Sequence, residues 1–241
     1  MKWAQAKSRK PLILQGARQV GKTYFLDFLV GKTIKLDFIE DRSAISIFES
    51  ENSDPTKIID KIERHKNIKI DTSNDFIFFD EIQECPEALQ SLKYFALKLP
   101  NLKIVCAGSF LGLMSKDKSF PIGYVDFLSM GPLSFFEFLL NFEPNLVEFY
   151  KNLNPFSTEI IDPFYHKKLL EIFRLYLAIG GMPEVVSVFL AAYKENFNTA
   201  LANARKIQKI FCRDICRISQ NTQGSSMQAT SFMFLKLSQS N

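Results

Sequence analysis

The 241-residue sequence has little of what metal and disulfide chemistry require. Its four cysteines, Cys85, Cys106, Cys212 and Cys216, form no C-x-x-C pair, and only His65 and His166 could assist them as ligands. That speaks against a zinc site and a secreted disulfide scaffold, and fits reduced thiols in the cytoplasm. A secretory leader is also missing: the basic start, Lys2 to Lys10, meets only the short apolar run 11–15. The most apolar stretch, Leu175 to Tyr193, is broken by Gly180-Gly181, Pro183 and Glu184. A carboxylate there would be costly in lipid, so the stretch reads as two buried helices with a break and not as a membrane span. No Asn-Lys-x-Asp guanine-reading segment occurs, and no arginine lies between Arg64 and Arg174. The tail 219–241 has a single charged residue, Lys236, among many Ser, Gln, Asn and Thr, and is expected to be disordered.

What is present is the length and apolar content of a soluble α/β domain with a smaller attachment. Phenylalanine is abundant, at 24 residues, and has no functional reading at this level. The net charge of +4 permits contact with nucleic acid without calling for it, and the basic residues of 193–217 alternate with apolar ones as on a solvated helix face. Residues 11–15, 33–38, 75–79, 102–107 and 125–128 read as strands. Helices are expected over 22–30, 55–65 and 86–97. This alternation predicts a mostly parallel sheet covered by helices. Beyond Pro132 the pattern is helical only, with segments 134–142, 163–178, 183–193 and 195–217. The expected organisation is a core over 1–142, a helical lid over 143–218 and the tail.

Gly16-Ala17-Arg18-Gln19-Val20-Gly21-Lys22-Thr23 matches G-x-x-x-x-G-K-[ST] between a strand and a helix. Such a segment curls its backbone N–H groups around a phosphate. Lys22 would reach the β- and γ-phosphates of ATP, and the Thr23 hydroxyl would hold Mg²⁺. Phe76 to Phe79 is an apolar strand ending in Asp80-Glu81. Asp80 is placed to hold Mg²⁺, and Glu81 to polarise an attacking water. Ser109, after the strand 102–107, could contact the γ-phosphate or the water, or simply serve as a turn residue after Gly108. Two adjacent acids favour water over a kinase acceptor.

In combination, these segments resemble predicted bacterial and archaeal ATPases of the AAA+ superfamily. The residues that carry the resemblance are 16–23, Phe79-Asp80-Glu81-Ile82-Gln83, Ala107-Gly108-Ser109, Gly131 to Leu139 and Gly180-Gly181-Met182-Pro183-Glu184. The resemblance extends over about residues 10–217. It implies a five-stranded P-loop sheet, with the strand before Lys22 beside the strand before Ser109, and a helical lid. It also implies that Met182 and Pro183 pack on adenine, although Gly-Gly stopping one helix and Pro starting the next reads equally as punctuation. Such proteins usually continue into an uncharacterised, nuclease-like C-terminal domain, so the chain is expected to be a truncated copy whose partner is that domain or another protein. One departure is Gly123-Tyr124, where the family commonly has Gly followed by Arg or Lys.

Overall fold

The computed structural model describes residues 2–6, 8–29, 31–49, 54–109, 120–153 and 162–221; at Lys2, 26–28, Ser109 and 214–221 it describes the backbone alone. The chain divides into two compact units at Gly131/Pro132. The division falls before the helix Phe135–Phe142 and not after it, because Phe138 and Leu139 are buried in the second unit's core.

The first unit is built on five strands: β1 (Leu12–Gly16), β2 (Thr33–Asp37), β3 (Phe76–Asp80), β4 (Lys103–Ser109) and β5 (Asp126–Met130). All pairings are parallel, in the order β2-β3-β4-β1-β5. Every residue of β3 is buried, as expected of a central parallel strand covered on both faces. On one face Ile34, Leu36, Ile77, Phe79, Ile104 and Cys106 form a core with α2 (Pro55–Lys66) and α3 (Pro86–Lys98). Ile58, Ile59 and Ile62 are the inward residues of α2, and Leu89, Leu92 and Phe95 those of α3. On the other face Leu12, Leu14, Phe76, Phe78, Val105 and Ala107 meet Trp3 and Ala4 of the short α1 (Lys2–Gln5), together with Phe25 and Leu29. Cys85, at the start of α3, and Cys106, in mid-sheet, are free thiols with no exposure. Burial pushes Cys85 up to about 11 and raises Cys106 well above the ordinary thiol value.

The helix expected over 22–30 is instead a 3₁₀ helix, Thr23–Phe28. The Phe25 N–H is shared between the carbonyls of Gly21 and Lys22, the bifurcation that tightens a turn toward 3₁₀ geometry. Thr, Tyr and Phe are indifferent helix formers, and Gly31 at φ 140° closes the segment.

The second unit contains α4 (Phe135–Phe142), α5 (Val147–Asn152), α6 (Pro163–Ile179), α7 (Pro183–Tyr193) and α8 (Phe197–Asn221). A capping box opens α4: Ser134 Oγ accepts from the Glu137 N–H at 3.3 Å, and Glu137 Oε2 accepts from the Ser134 N–H at 2.7 Å. Pro163 and Pro183 each begin a helix at a position where their missing N–H costs nothing. α8 continues through 219–221, into the segment expected to be tail, and 222–241 lie outside the described residues. Among the described residues no helix is long and apolar enough to cross a membrane.

Candidate nucleotide-binding site

β1 delivers the chain to Gly16 at the sheet's C-terminal edge, where ligands of such sheets bind. A Cβ at Gly16 would lie 2.2 Å from the Met130 carbonyl oxygen, so β5 tolerates only glycine there. Ala17, Arg18 and Gln19 are exposed, while Val20, 4% exposed, plugs the loop into the fold. Gln19 (φ 65°) and Gly21 (φ 92°) are both left-handed, which curls the backbone tightly. The Lys22 ammonium arches over this curl and donates to the carbonyls of Gly16 at 3.0 Å and Ala17 at 2.7 Å. Burial pulls its pKa below the ordinary lysine value; Glu81 and Asp80 oppose that shift and Arg18 adds to it.

Thr23 and Asp80, far apart in sequence, meet here: Thr23 Oγ1 donates to Asp80 Oδ2 at 3.2 Å. Asp80 is held from two more directions. Its Oδ1 accepts from the Glu81 N–H at 3.1 Å, and its Oδ2 lies 2.9 Å from Lys35 Nζ. Lys35 also pairs with Asp37 at 3.0 Å. Burial alone would lower the pKa of Lys35, but the hydrogen bonds to Asp80 and Asp37 prevail and raise it. The Asp37 carboxyl shows the mirror effect: burial would raise it, yet the Glu40 and Ile39 N–H groups and Lys35 hold it below the ordinary carboxylate value.

Glu81 sits in the left-handed region at φ 50°, ψ 45°, unusual for a non-glycine residue and a form of strain that collects at functional positions. Its Oε2 accepts from Gln83 Nε2 at 2.5 Å, which fixes the carboxylate's direction. Ser109 ends β4 in register with Gly16, at the same sheet edge, but its side chain is not among those described. It continues the strand and is not a turn residue beyond it.

Met182 and Pro183 belong to the second unit. Met182 is the residue before α7 and packs, half-buried, against the helical core. The preceding Gly181 is as constrained as Gly16: a Cβ there would lie 2.1 Å from the Leu133 carbonyl oxygen. The Leu133 N–H donates to the Gly181 carbonyl at 2.6 Å, and the Tyr176 hydroxyl to the Leu133 carbonyl at 2.8 Å. The Gly-Gly-Met-Pro segment thus docks the chain around Leu133.

Sequence reasoning missed Lys35, Asp37 and Gln83. The signal for the first two was the alternation Thr33-Ile34-Lys35-Leu36-Asp37, which puts both charged residues on one face of β2. The pairing Asp37↔Asp80 then brings them to the acidic strand end. The donor set suits a nucleotide and its metal: a hydroxyl and a carboxylate are the hard oxygens Mg²⁺ prefers, beside a curled loop with a lysine.

The chain is similar to several known proteins. An AAA domain family model matches residues 8–139. The uncharacterized protein MJ1544 of Methanocaldococcus jannaschii is 29% identical over 183 residues, 73% of this chain. The chain spans 36% of that relative's length. Among solved structures, the Walker-type ATPase PABY2304 of Pyrococcus abyssi aligns with a TM-score of 0.49 at 17% identity, over 89% of this chain and 72% of its own. PCH-2 of C. elegans aligns with a TM-score of 0.47 at 14% identity, over 82% and 60%. With the phosphate loop and acidic strand end at one sheet edge, and the model matching more than half of the sequence, the chain belongs to the AAA domain family.

Proposed function

We propose that the chain binds ATP at residues 16–23 and hydrolyses it with Mg²⁺. The observation that carries this reading is the 3.2 Å contact between Thr23 Oγ1 and Asp80 Oδ2, which unites the loop and the acidic strand end into one oxygen site. Lys22 binds the β- and γ-phosphates, exchanging its two carbonyl partners for phosphate oxygens. Thr23 and Asp80 hold Mg²⁺, which supplies charge neutralisation on the phosphate oxygens. Glu81 accepts the proton of a water whose oxygen bonds to the γ-phosphorus, while the β–γ bridging oxygen leaves with ADP. Ser109, ending its strand beside Gly16, contacts the γ-phosphate or that water. The site works in the cytoplasm, where Cys85 and Cys106 stay reduced.

A second reading is a nucleotide-operated switch with negligible turnover, which moves the lid and a protein partner. It is favoured by the absence of arginine between Arg64 and Arg174, since an arginine finger is worth about 10³–10⁵ in rate. Two measurements test the proposal. Mg²⁺-ATP at about 100 times its Kd should stabilise the protein by about 2.7 kcal/mol, and Lys22→Ala should abolish most of that. Equal shifts in both proteins would refute nucleotide binding at the loop. Phosphate release should fall by about 10²–10⁴ in Glu81→Gln with binding retained; a wild-type protein that binds ATP without releasing phosphate would leave the switch reading standing.

A further inference from the structure

As sequence, the basic residues of 193–217 read as a solvated face, but the α8 helix makes them one-sided. Ala200, Ala204 and Phe211 are buried, and Ile207 packs partly buried beside them in the second unit's core. Gln208 Nε2 donates to the carbonyls of Ala178 and Ile179, tying α8 to the end of α6. The opposite side carries Arg205, Lys206, Lys209 and Arg213, all exposed, in line with exposed Ala202 and Asn198 one and two turns earlier. At about 100° per residue these six positions fall within an arc of about 100°.

The arrangement is unfavourable in isolation. Arg205, Lys209 and Arg213 form a ladder of like charges at i, i+4 and i+8, and like charges at that spacing destabilise a helix. No acidic residue stands three or four positions from any of the four cations in α8, and none of them joins an ion pair with a described carboxylate. In the first unit, by contrast, Lys35, Lys66, Lys69 and Lys98 all have carboxylate partners.

We propose that this face of α8 binds the phosphate backbone of a nucleic acid. From Arg205 to Arg213 the helix rises about 12 Å, the axial span of about three to four phosphates of one duplex strand. A row of cations on one face, with the small Ala202 and the Asn198 amide in line before it, suits sequence-independent backbone contact. An anionic membrane is the poorer match. A membrane-surface helix needs a broad free apolar face beside its basic one, whereas Ala200, Ala204, Ile207 and Phe211 of α8 are taken up by its own core and Ile210 is the exposed large apolar residue beside the cations. The inference stands independently of ATP hydrolysis and is tested without nucleotide.

The test measures fluorescence anisotropy of a labelled DNA duplex of about 20 base pairs and mixed sequence, titrated with the full chain across a salt series. The wild type should bind at low salt. Arg205→Glu, Lys209→Glu and Arg213→Glu combined should weaken binding at least tenfold and flatten the slope of log K against log salt by about three, near one per phosphate contact removed. The thermal melt should be unchanged or slightly higher, because the changes are on the surface and remove a like-charge ladder. Milder substitutions to Gln at the same positions should give the same order of effect if the reversal variant folds poorly. A control with the same charge change in the first unit, Lys10→Glu, Lys57→Glu and Lys93→Glu, should keep the steeper slope. No duplex binding by the wild type, equal loss in the control, or binding to phosphatidylserine-rich vesicles in place of the duplex would each overturn the proposal.

Discussion

In the first unit charged side chains find partners: Lys35 with Asp37 and Asp80, His65 and Lys66 with Asp41, Lys69 with Glu63, Lys98 with Asp54. The described residues of the second unit hold one such pair, Lys168 with Glu143, and rings take over. Phe135 lies edge-on to Tyr150 and Phe173, Phe138 stacks on Phe142, and Phe142 and Phe189 both meet Tyr193. Phenylalanine is shared almost evenly, 11 residues before Pro132 and 13 after, but in the second unit its rings fill the space between helices. A sheet orients its side chains by register and can place ionic groups accurately at a strand end. Packed helices meet through their side chains alone, and edge-to-face rings add about 0.5–1.5 kcal/mol per pair beyond burial. Chemistry accordingly gathers in the first unit and packing adaptability in the second.

The strongest challenge to this contrast is Phe138→Ala. Phe138 is fully buried between Phe142 and Tyr176, and truncation should cost about 3–5 kcal/mol. Melting followed separately by aromatic near-UV signal and by the stabilisation from Mg²⁺-ATP should show the aromatic signal lost first. Simultaneous loss of both would mean the units do not unfold independently.

Next in size is Lys35→Ala, which leaves the 7%-exposed Asp80 carboxylate without its cation. Breaking a buried pair costs about 3–5 kcal/mol, but Lys35 is 35% exposed and solvent screening brings the expectation nearer to about 1–2 kcal/mol. The pH dependence has two limits. Asp37, held low, contributes stability above its unfolded value near 3.9 and loses it as pH falls through its lower folded value. Lys35, held high, contributes below its unfolded value near 10.4 and loses it as pH rises through its higher folded value. The wild type's advantage over Lys35→Ala should therefore form a plateau between about pH 4 and pH 10; a difference that peaks sharply near neutrality would contradict the pairing.

Ser134→Ala removes the capping box of α4 and should cost about 1 kcal/mol, read as a lower denaturant midpoint with unchanged slope. The smallest effect belongs to Asp41. His65, Ser43 and Lys66 hydrogen bonds hold its carboxyl below the ordinary range. The side chain is 26% exposed, so the contribution should stay under about 1 kcal/mol. The stability lost in Asp41→Asn should be fully present above about pH 4 and shrink as pH falls further. A difference that grows toward acid pH would reverse the assignment.

The parts of the fold that were legible as sequence are those governed by local pattern. Strand β3 reads from its apolar run, α2 and α3 from proline starts and periodic Ile or Leu, and the loop 16–23 from glycine spacing. What escaped depends on contacts between segments. Lys35 reads as an exposed strand lysine until the pairing of β2 with β3 sets it beside Asp80. The 3₁₀ turn after Lys22 depends on one shared N–H, and the left-handed backbone of Glu81 on how β3 ends. Gly181 looked like a helix stop; its close approach to Leu133 is visible only when the chain around Leu133 is docked against it. The division at Gly131/Pro132 likewise depends on contacts, since α4 follows the sheet in sequence while its apolar face packs with later helices.

The buried thiols turn the first unit into its own clock. Cys212 lies exposed on α8, whereas Cys106 sits in mid-sheet and Cys85 at the head of α3, both fully covered. Only thiolates react with alkylating reagents, and burial keeps both of these protonated at neutral pH. Mass spectrometry of timed alkylation would record Cys212 at once, and each buried cysteine only as often as its surroundings open. The ratio of the two slow rates compares fraying at the edge of α3 with rupture of the sheet, and nucleotide that binds the folded loop should slow the deeper event.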